Sequence, residues 1–306
     1  MKIKFNLKKG INHVFIPVYV NDKGPYNFTL DTGAQATTLS STLTEELGLE
    51  TNEIIGDKYE PLKKKRSLKR TEANLRIGTE DLITDEVWTM NLGFSTKTSG
   101  KKIIQTVEAD GKKVISAEHP NIQKVMKTTE SGEKVIHTTD GIIGYTTLKN
   151  YILSVNYSTK IMQLIRKDQE FTNVNQDKMQ KFEYIGDTHL VGIPVLINGE
   201  GPFPFVVDTG AGGTAISKNL NEKMNLPLSD IVAKAVGIHG AQETHIAIID
   251  HLTVSSTTYN DIHAVIIDET IIGPRAKIIE NGILGYNIFK EHELIIDYQN
   301  QTCAII

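Results

Sequence analysis

The tetrapeptide Asp-Thr-Gly-Ala occurs twice in this chain of 306 residues, at Asp31-Thr32-Gly33-Ala34 and Asp208-Thr209-Gly210-Ala211. Each copy ends an apolar stretch, Tyr26 to Leu30 and Phe203 to Val207. The flanks repeat with it. At the offset of 177 that separates the aspartates, Ile16-Pro17-Val18 meets Ile193-Pro194-Val195, Gly24-Pro25 meets Gly201-Pro202, and Ser40 meets Ser217. From residue 14 to residue 40, 14 of 27 positions are identical to their counterparts. A chance tetrapeptide would not carry its flanks, so the chain is an internal repeat and must fold as two similar halves.

A second block repeats later in each half. Gly141-Ile142-Ile143-Gly144-Tyr145 matches Gly282-Ile283-Leu284-Gly285-Tyr286 at an offset of 141, which also pairs Leu153 with Leu294 and Tyr157 with Tyr298. The motif order is the same in both halves, and the first half carries about 36 extra residues between its motifs. The length fits about two domains, expected at 1–165 and 178–306. The polar stretch 166–177 would be the linker, and the extra residues would fall at about 95–134. Turn signals at Ala109-Asp110-Gly111 and Glu130-Ser131-Gly132 predict a β-hairpin there.

Local patterns are mostly those of strands. Ile3, Phe5 and Leu7 alternate with polar residues, and Val14 to Val20 and Val191 to Ile197 are apolar runs. Turns are expected over Asn21 to Pro25 and Asn198 to Pro202. Leu43 and Leu47, like Leu220 and Met224, sit four apart and predict a short helix after each Asp-Thr-Gly. Ser40 and Ser217 are placed to cap these helices, and Gly48 and Asn225 to end them.

A net charge of −4 gives no reason to expect nucleic acid or an anionic membrane as partner. No apolar run is long enough for a membrane span. The single cysteine, Cys303, excludes an intramolecular disulfide. The N-terminal residues lack the apolar core of a signal peptide, so a cytoplasmic protein is expected, although a leader removed beforehand would leave the same N-terminus. His239, His245 and His251 recur every six residues, but neither a carboxylate nor a Cys pattern accompanies them, and no metal is expected. The basic run Lys63 to Arg66 reads as a solvated loop. Gly210-Ala-Gly-Gly213 lacks the spacing of a dinucleotide site.

With both motifs in view, the chain resembles the retropepsin-like aspartic proteases, with the two protomers of their usual dimer fused in one chain. The resemblance rests on an apolar strand into Asp-Thr-Gly-Ala, a short helix, and the later Ile142-Ile143-Gly144 and Ile283-Leu284-Gly285. Retroviral members carry Gly-Arg where this chain has Gly144-Tyr145 and Gly285-Tyr286, which brings it nearer to bacterial members. The resemblance implies a mainly β, two-lobed acid-protease barrel fold with a pseudo-twofold axis. It implies a site between the lobes with Asp31 and Asp208 catalytic, no cofactor, a polypeptide substrate and a monomeric active unit. It also implies hairpin flaps, with tips at Gly237-Ile238-His239-Gly240 and, less clearly, Ile55-Gly56-Asp57.

Hydrolysis by two carboxylates needs one ionised and one protonated group, and two close carboxylates share a proton for that reason. Thr32 and Thr209 offer hydroxyls to hold the loops together, and Gly33 and Gly210 allow close backbone approach. Ala34 and Ala211 lack the hydroxyl of pepsin-like enzymes, which removes one hydrogen bond to the ionised form. The alternative from another class is a peptide-binding or scaffold module that uses the same cleft without turnover.

Overall fold

The computed structural model describes residues 1–7, 12–55, 67–92, 94–96, 126–128, 134–136, 139–166, 168–169, 178–237 and 240–306. The chain is mainly β, as its sequence patterns indicate. Val14–Val20 and Lys23–Leu30 form a hairpin around Asn21 and Asp22, both at positive φ (48° and 61°). Asn198 and Gly199, at 50° and 84°, do the same between Val191–Ile197 and Glu200–Val207. Two left-handed residues in succession give the turn whose twist matches that of the paired strands.

These turns are shorter than the sequence suggests. Gly24-Pro25 and Gly201-Pro202 already lie in the second strand. The pairing shifts register opposite them, between Val18 and Val20 and between Val195 and Ile197. A strand can therefore pass through a proline that has no N–H to donate. The turn asparagines also reach sideways. Asn74 N donates to Asn21 Oδ1 at 2.8 Å, and His251 N donates to Asn198 Oδ1 at 2.9 Å.

In the second half, six strands close into a barrel. Val191–Ile197 pairs with Glu200–Val207, and the path continues through Gly282–Leu284, Ala215–Ser217, Thr257–Ile267 and Gly240–Val254 back to Val191–Ile197. The first half follows the same path with shorter pieces. Lys69–Thr71 and Leu75–Ile77 stand where the second half has the continuous Gly240–Val254. Glu80–Asp81 and Val87–Met90 stand where it has Thr257–Ile267.

The first glycine of each later block is explained by packing. A Cβ on Gly141 would collide with the ring of Phe28, and one on Gly282 with the ring of Phe205. Both pairs sit on neighbouring parallel strands, Gly141 opposite Phe28 and Gly282 opposite Phe205. Phe and Gly are thus duplicated together because one fills the space that the other leaves.

A six-stranded sheet joins the halves. Its centre is the antiparallel pair Tyr151–Asn156 and Glu293–Asp297, one strand from each half, with Leu153 opposite Ile296. The largest apolar cluster also runs through both, from Ile3 and Phe5 to Cys303 and Ile305. Among the described residues of the inserted region, Phe94–Thr96, Lys134–Ile136 and Met126–Thr128 form a separate three-stranded antiparallel sheet. The expected turn at Glu130 to Gly132 lies outside the described residues. The Ala109 to Gly111 turn and most of the expected linker lie outside the described residues.

The short helices are Ser41–Leu47 and Lys218–Met224. Ser40 and Ser217 accept hydrogen bonds from Leu43 N and Leu220 N at 3.1 and 3.0 Å. Gly48 and Asn225 end the helices in the left-handed region. Two turns of helix are too short to persist unaided, so caps and burial of Leu43 and Leu220 carry them. Ser40→Ala is expected to lower unfolding free energy by about 1 kcal/mol, and Ser40→Asp to retain most of it. Urea unfolding midpoints check this, and an unchanged midpoint in Ser40→Ala would mean that the cap contributes nothing.

Candidate active site

Each Asp-Thr-Gly-Ala loop leaves the end of a strand, Lys23–Leu30 or Glu200–Val207, and is clamped by the later block of its own half. Asp31 N donates to Ile143 O and Asp208 N to Leu284 O, both at 3.1 Å. Tyr145 N and Tyr286 N donate to the carbonyls of Ala34 and Ala211, both at 3.0 Å. The second glycine of each block makes this approach feasible. A Cβ on Gly144 would lie 2.6 Å from Ala36 O and 2.9 Å from Ala34 O, and one on Gly285 would meet the Gly213 and Ala211 carbonyls in the same way.

The two loops are then tied to each other. Thr32 N donates to Thr209 Oγ1 at 3.1 Å, and Thr209 N donates to Thr32 Oγ1 at 3.0 Å. Each hydroxyl in turn donates across the interface, Thr32 Oγ1 to Val207 O at 2.8 Å and Thr209 Oγ1 to Leu30 O at 3.0 Å. Both threonines are buried. Four reciprocal bonds therefore satisfy every polar group in the brace.

This brace brings Asp31 and Asp208 together. A Cβ on Gly33 would sit 2.6 Å from Asp208 Oδ2, and one on Gly210 would sit 2.5 Å from Asp31 Cγ. Each carboxyl group thus packs over the glycine of the opposite loop, and only glycine leaves room. The two carboxyls face each other closely enough to interact directly. Gly210 N donates to Asp208 Oδ1 at 2.7 Å. Burial raises the pKa of both groups above the ordinary carboxylate range, and for Asp31 the neighbouring Asp208 charge adds to the effect. They titrate as a pair. Both residues keep partial solvent exposure, while Asp31 Oδ1 itself is buried and has no hydrogen-bond partner among the described residues.

One break in the twofold lies at a loop carbonyl. The carbonyl of Gly33 accepts from His189 Nε2 at 3.1 Å and from Arg275 Nη1 at 3.3 Å, both residues of the second half. A carbonyl partner puts the ring hydrogen on Nε2. His189 is buried, and burial together with the nearby Arg275 lowers its pKa to about 4. Arg275 also favours the charged forms of Asp31 and Asp208. Sequence reading missed both residues. The signal was available only as a departure from the repeat: Asn12, not His, lies 177 residues before His189.

Aromatic rings cross between the halves beside the loops. Tyr145 packs edge-on against Tyr298 with centroids 5.6 Å apart, and Tyr286 against Tyr157 at 5.9 Å. They link the halves by ring packing, each pair contributing on the order of 1 kcal/mol beyond its burial.

Of the candidate flap residues, Gly237 and Gly240 pair directly at the end of the hairpin made by Leu228–Gly237 and Gly240–Val254. Ile55 is 94% exposed. Ile238, His239, Gly56 and Asp57 lie outside the described residues. Among the described residues, no group of three or more His, Cys, Asp or Glu is placed to hold a metal.

Thr32→Val keeps the shape of the side chain and deletes its hydroxyl. It strands Thr209 N and Val207 O in a buried position, so a loss of about 2–4 kcal/mol is expected, with Thr32→Ser costing much less. Denaturant unfolding of the two variants checks this, and a Val variant as stable as wild type would mean that the brace is dispensable.

The family described as aspartyl protease matches residues 16–57 and 193–288, one stretch in each half, and these contain Asp31 and Asp208. No curated protein matches the chain. A solved structure, the aspartic proteinase from Irpex lacteus, aligns over 100% of this chain and 96% of its own at 9% identity, with a TM-score of 0.48. Over these two stretches, one in each half, the chain is similar to aspartyl proteases.

Proposed function

We propose that the protein is an aspartic endopeptidase that hydrolyses peptide bonds with a water molecule activated by Asp31 and Asp208. The observation that carries this reading is the threonine brace, because it holds the carboxyls of Asp31 and Asp208 side by side, where two close carboxyls share one proton. Asp208, which accepts from Gly210 N–H, is the general base. It takes a proton from the water as the water oxygen attacks the scissile carbonyl carbon. Asp31 gives its proton to the carbonyl oxygen. The gem-diol intermediate then collapses: Asp208 gives its proton to the amide nitrogen, the C–N bond breaks, the amine leaves, and a gem-diol hydroxyl returns a proton to Asp31. No metal or cofactor takes part.

The remaining expectations fit the same reading. Residues 1–165 and 178–306 are taken as the two lobes, and one chain supplies both aspartates, so the active unit is a monomer. The hairpin ending at Gly237 and Gly240 serves as a flap. Its strand Leu228–Gly237 keeps Ile231 and Val232 exposed, which leaves apolar surface for a polypeptide.

Asp31→Asn and Asp208→Asn are each expected to abolish cleavage of a denatured protein substrate, with the double variant little worse. Loss of activity must be separated from loss of fold, and linkage does so. Both folded pKa values are raised. The stabilising effect of the protonated pair is therefore full below the unfolded Asp pKa and is lost as pH rises through the folded values. Each Asn variant should be at least as stable as wild type at neutral pH. Substantial turnover in either single variant would end the proposal, as would a specific activity that falls steeply on dilution.

The kcat/KM profile is expected to be bell-shaped, with its maximum in mildly acidic to near-neutral conditions. Ala34→Ser with Ala211→Ser adds donors that favour the ionised pair, so the profile should move to lower pH. An upward shift in that double variant, or a wild-type maximum below about pH 3, would contradict the account.

A further inference from the structure

We infer that Arg275, seated with His189 on the Gly33 carbonyl, is a positioning residue that makes the two aspartate loops inequivalent and places a permanent positive charge beside one of them. The inference rests on the reading of Asp31 and Asp208 as the catalytic pair.

The argument starts from symmetry. The strand-end, threonine and later-glycine contacts occur in matched pairs with nearly equal lengths. Two identical loops would leave the shared proton no preference between the aspartates. The match fails at the Asp208 carboxylate, which alone accepts a bond of 2.7 Å from its own loop's glycine N–H, and at the Gly33 carbonyl. That carbonyl takes two side-chain donors from the second half, whereas among the described residues no side chain bonds the carbonyl of Gly210. Arg275 belongs to the segment Gly273–Lys277, between Thr257–Ile267 and Gly282–Leu284. In the first half the corresponding stretch holds the insertion, so that half offers no equivalent arginine by repetition.

The two donors have different jobs. His189 is buried and held neutral, so it supplies a hydrogen bond and no charge. Arg275 keeps its charge under all working conditions and has further guanidinium donors beyond the one on Gly33. Among the described residues it forms no ion pair with a carboxylate within 4.0 Å. The other titratable groups facing the pair are Tyr157, which feels Asp208, and Tyr298, which feels Asp31. Burial keeps both tyrosines neutral. Lys277, on the same segment as Arg275, is exposed to solvent.

The consequence has a sign. A positive charge favours ionised carboxylates, so Arg275 draws both ionisation steps of the pair to lower pH. Removing it should move both limbs of the kcat/KM profile upward. A residue that merely props up a loop would reduce kcat and leave the limbs in place.

The test uses the full chain with 13C-carboxyl-labelled aspartate, titrated by NMR, beside kcat/KM profiles on a peptide library. Asp31→Asn and Asp208→Asn assign the signals. Arg275→Gln is expected to raise both titration steps and both limbs by about one pH unit. Arg275→Lys, which keeps the charge, should leave them near wild type. His189→Gln should lower kcat with little change in KM and leave the limbs in place. Unmoved steps in Arg275→Gln would overturn the inference, as would a shift of about one unit in Arg275→Lys, which remains decisive if the Gln variant does not fold. The NMR arm needs no turnover. A chain that cleaves nothing would defeat the protease reading while the titration still judged Arg275. A cleaving enzyme with unmoved steps would defeat this inference alone.

Discussion

The structure turns on two threonine hydroxyls. Thr32 and Thr209 each accept from the backbone N–H of the other and donate to a carbonyl of the opposite half. Buried polar groups must be paired, and here each half can pair its own only through the other. The interface therefore admits one relative placement of the two loops. Everything near it must tolerate that closeness, which is why glycine follows each threonine and why the opposite carboxyl lies where a Cβ would be.

The same closeness creates the electrostatics. Two carboxyls taken out of water and set side by side keep a proton that an exposed Asp would lose. The proposed chemistry uses that proton. The fold supports the pair from several directions: the later glycine blocks clamp the loops, the central sheet joins strands of both halves, and crossed tyrosine pairs pack alongside. The frame is near-symmetric, and among the described residues the only asymmetric side chains on the loops' carbonyls are His189 and Arg275.

Much of the site was legible because it is duplicated. A repeated Asp-Thr-Gly-Ala with repeated flanks marks strand ends, and the serines at 40 and 217 mark helix starts. The pairing of Phe28 with Gly141 was not legible as a contact, although both residues are repeated, since it depends on two distant strands becoming parallel neighbours. The extent of the turns was misjudged at Pro25 and Pro202, because a register shift on the partner strand accommodates a residue without an N–H. His189 and Arg275 were invisible for the opposite reason: repetition reveals what the halves share, and these residues are what they do not share.

By itself, the sequence determined that two similar β-rich halves exist, where each strand meets its aspartate, and which hydroxyls and glycines accompany it. These are local matters of turn chemistry, capping and alternation, written in neighbouring residues. Only the tertiary structure decided that the two loops brace each other, that a long hairpin of the second half is broken in the first, and that an arginine from beyond the barrel strands reaches the first loop alone. Those outcomes depend on which distant surfaces can be buried together with every polar group paired, and no stretch of sequence contains that information separately.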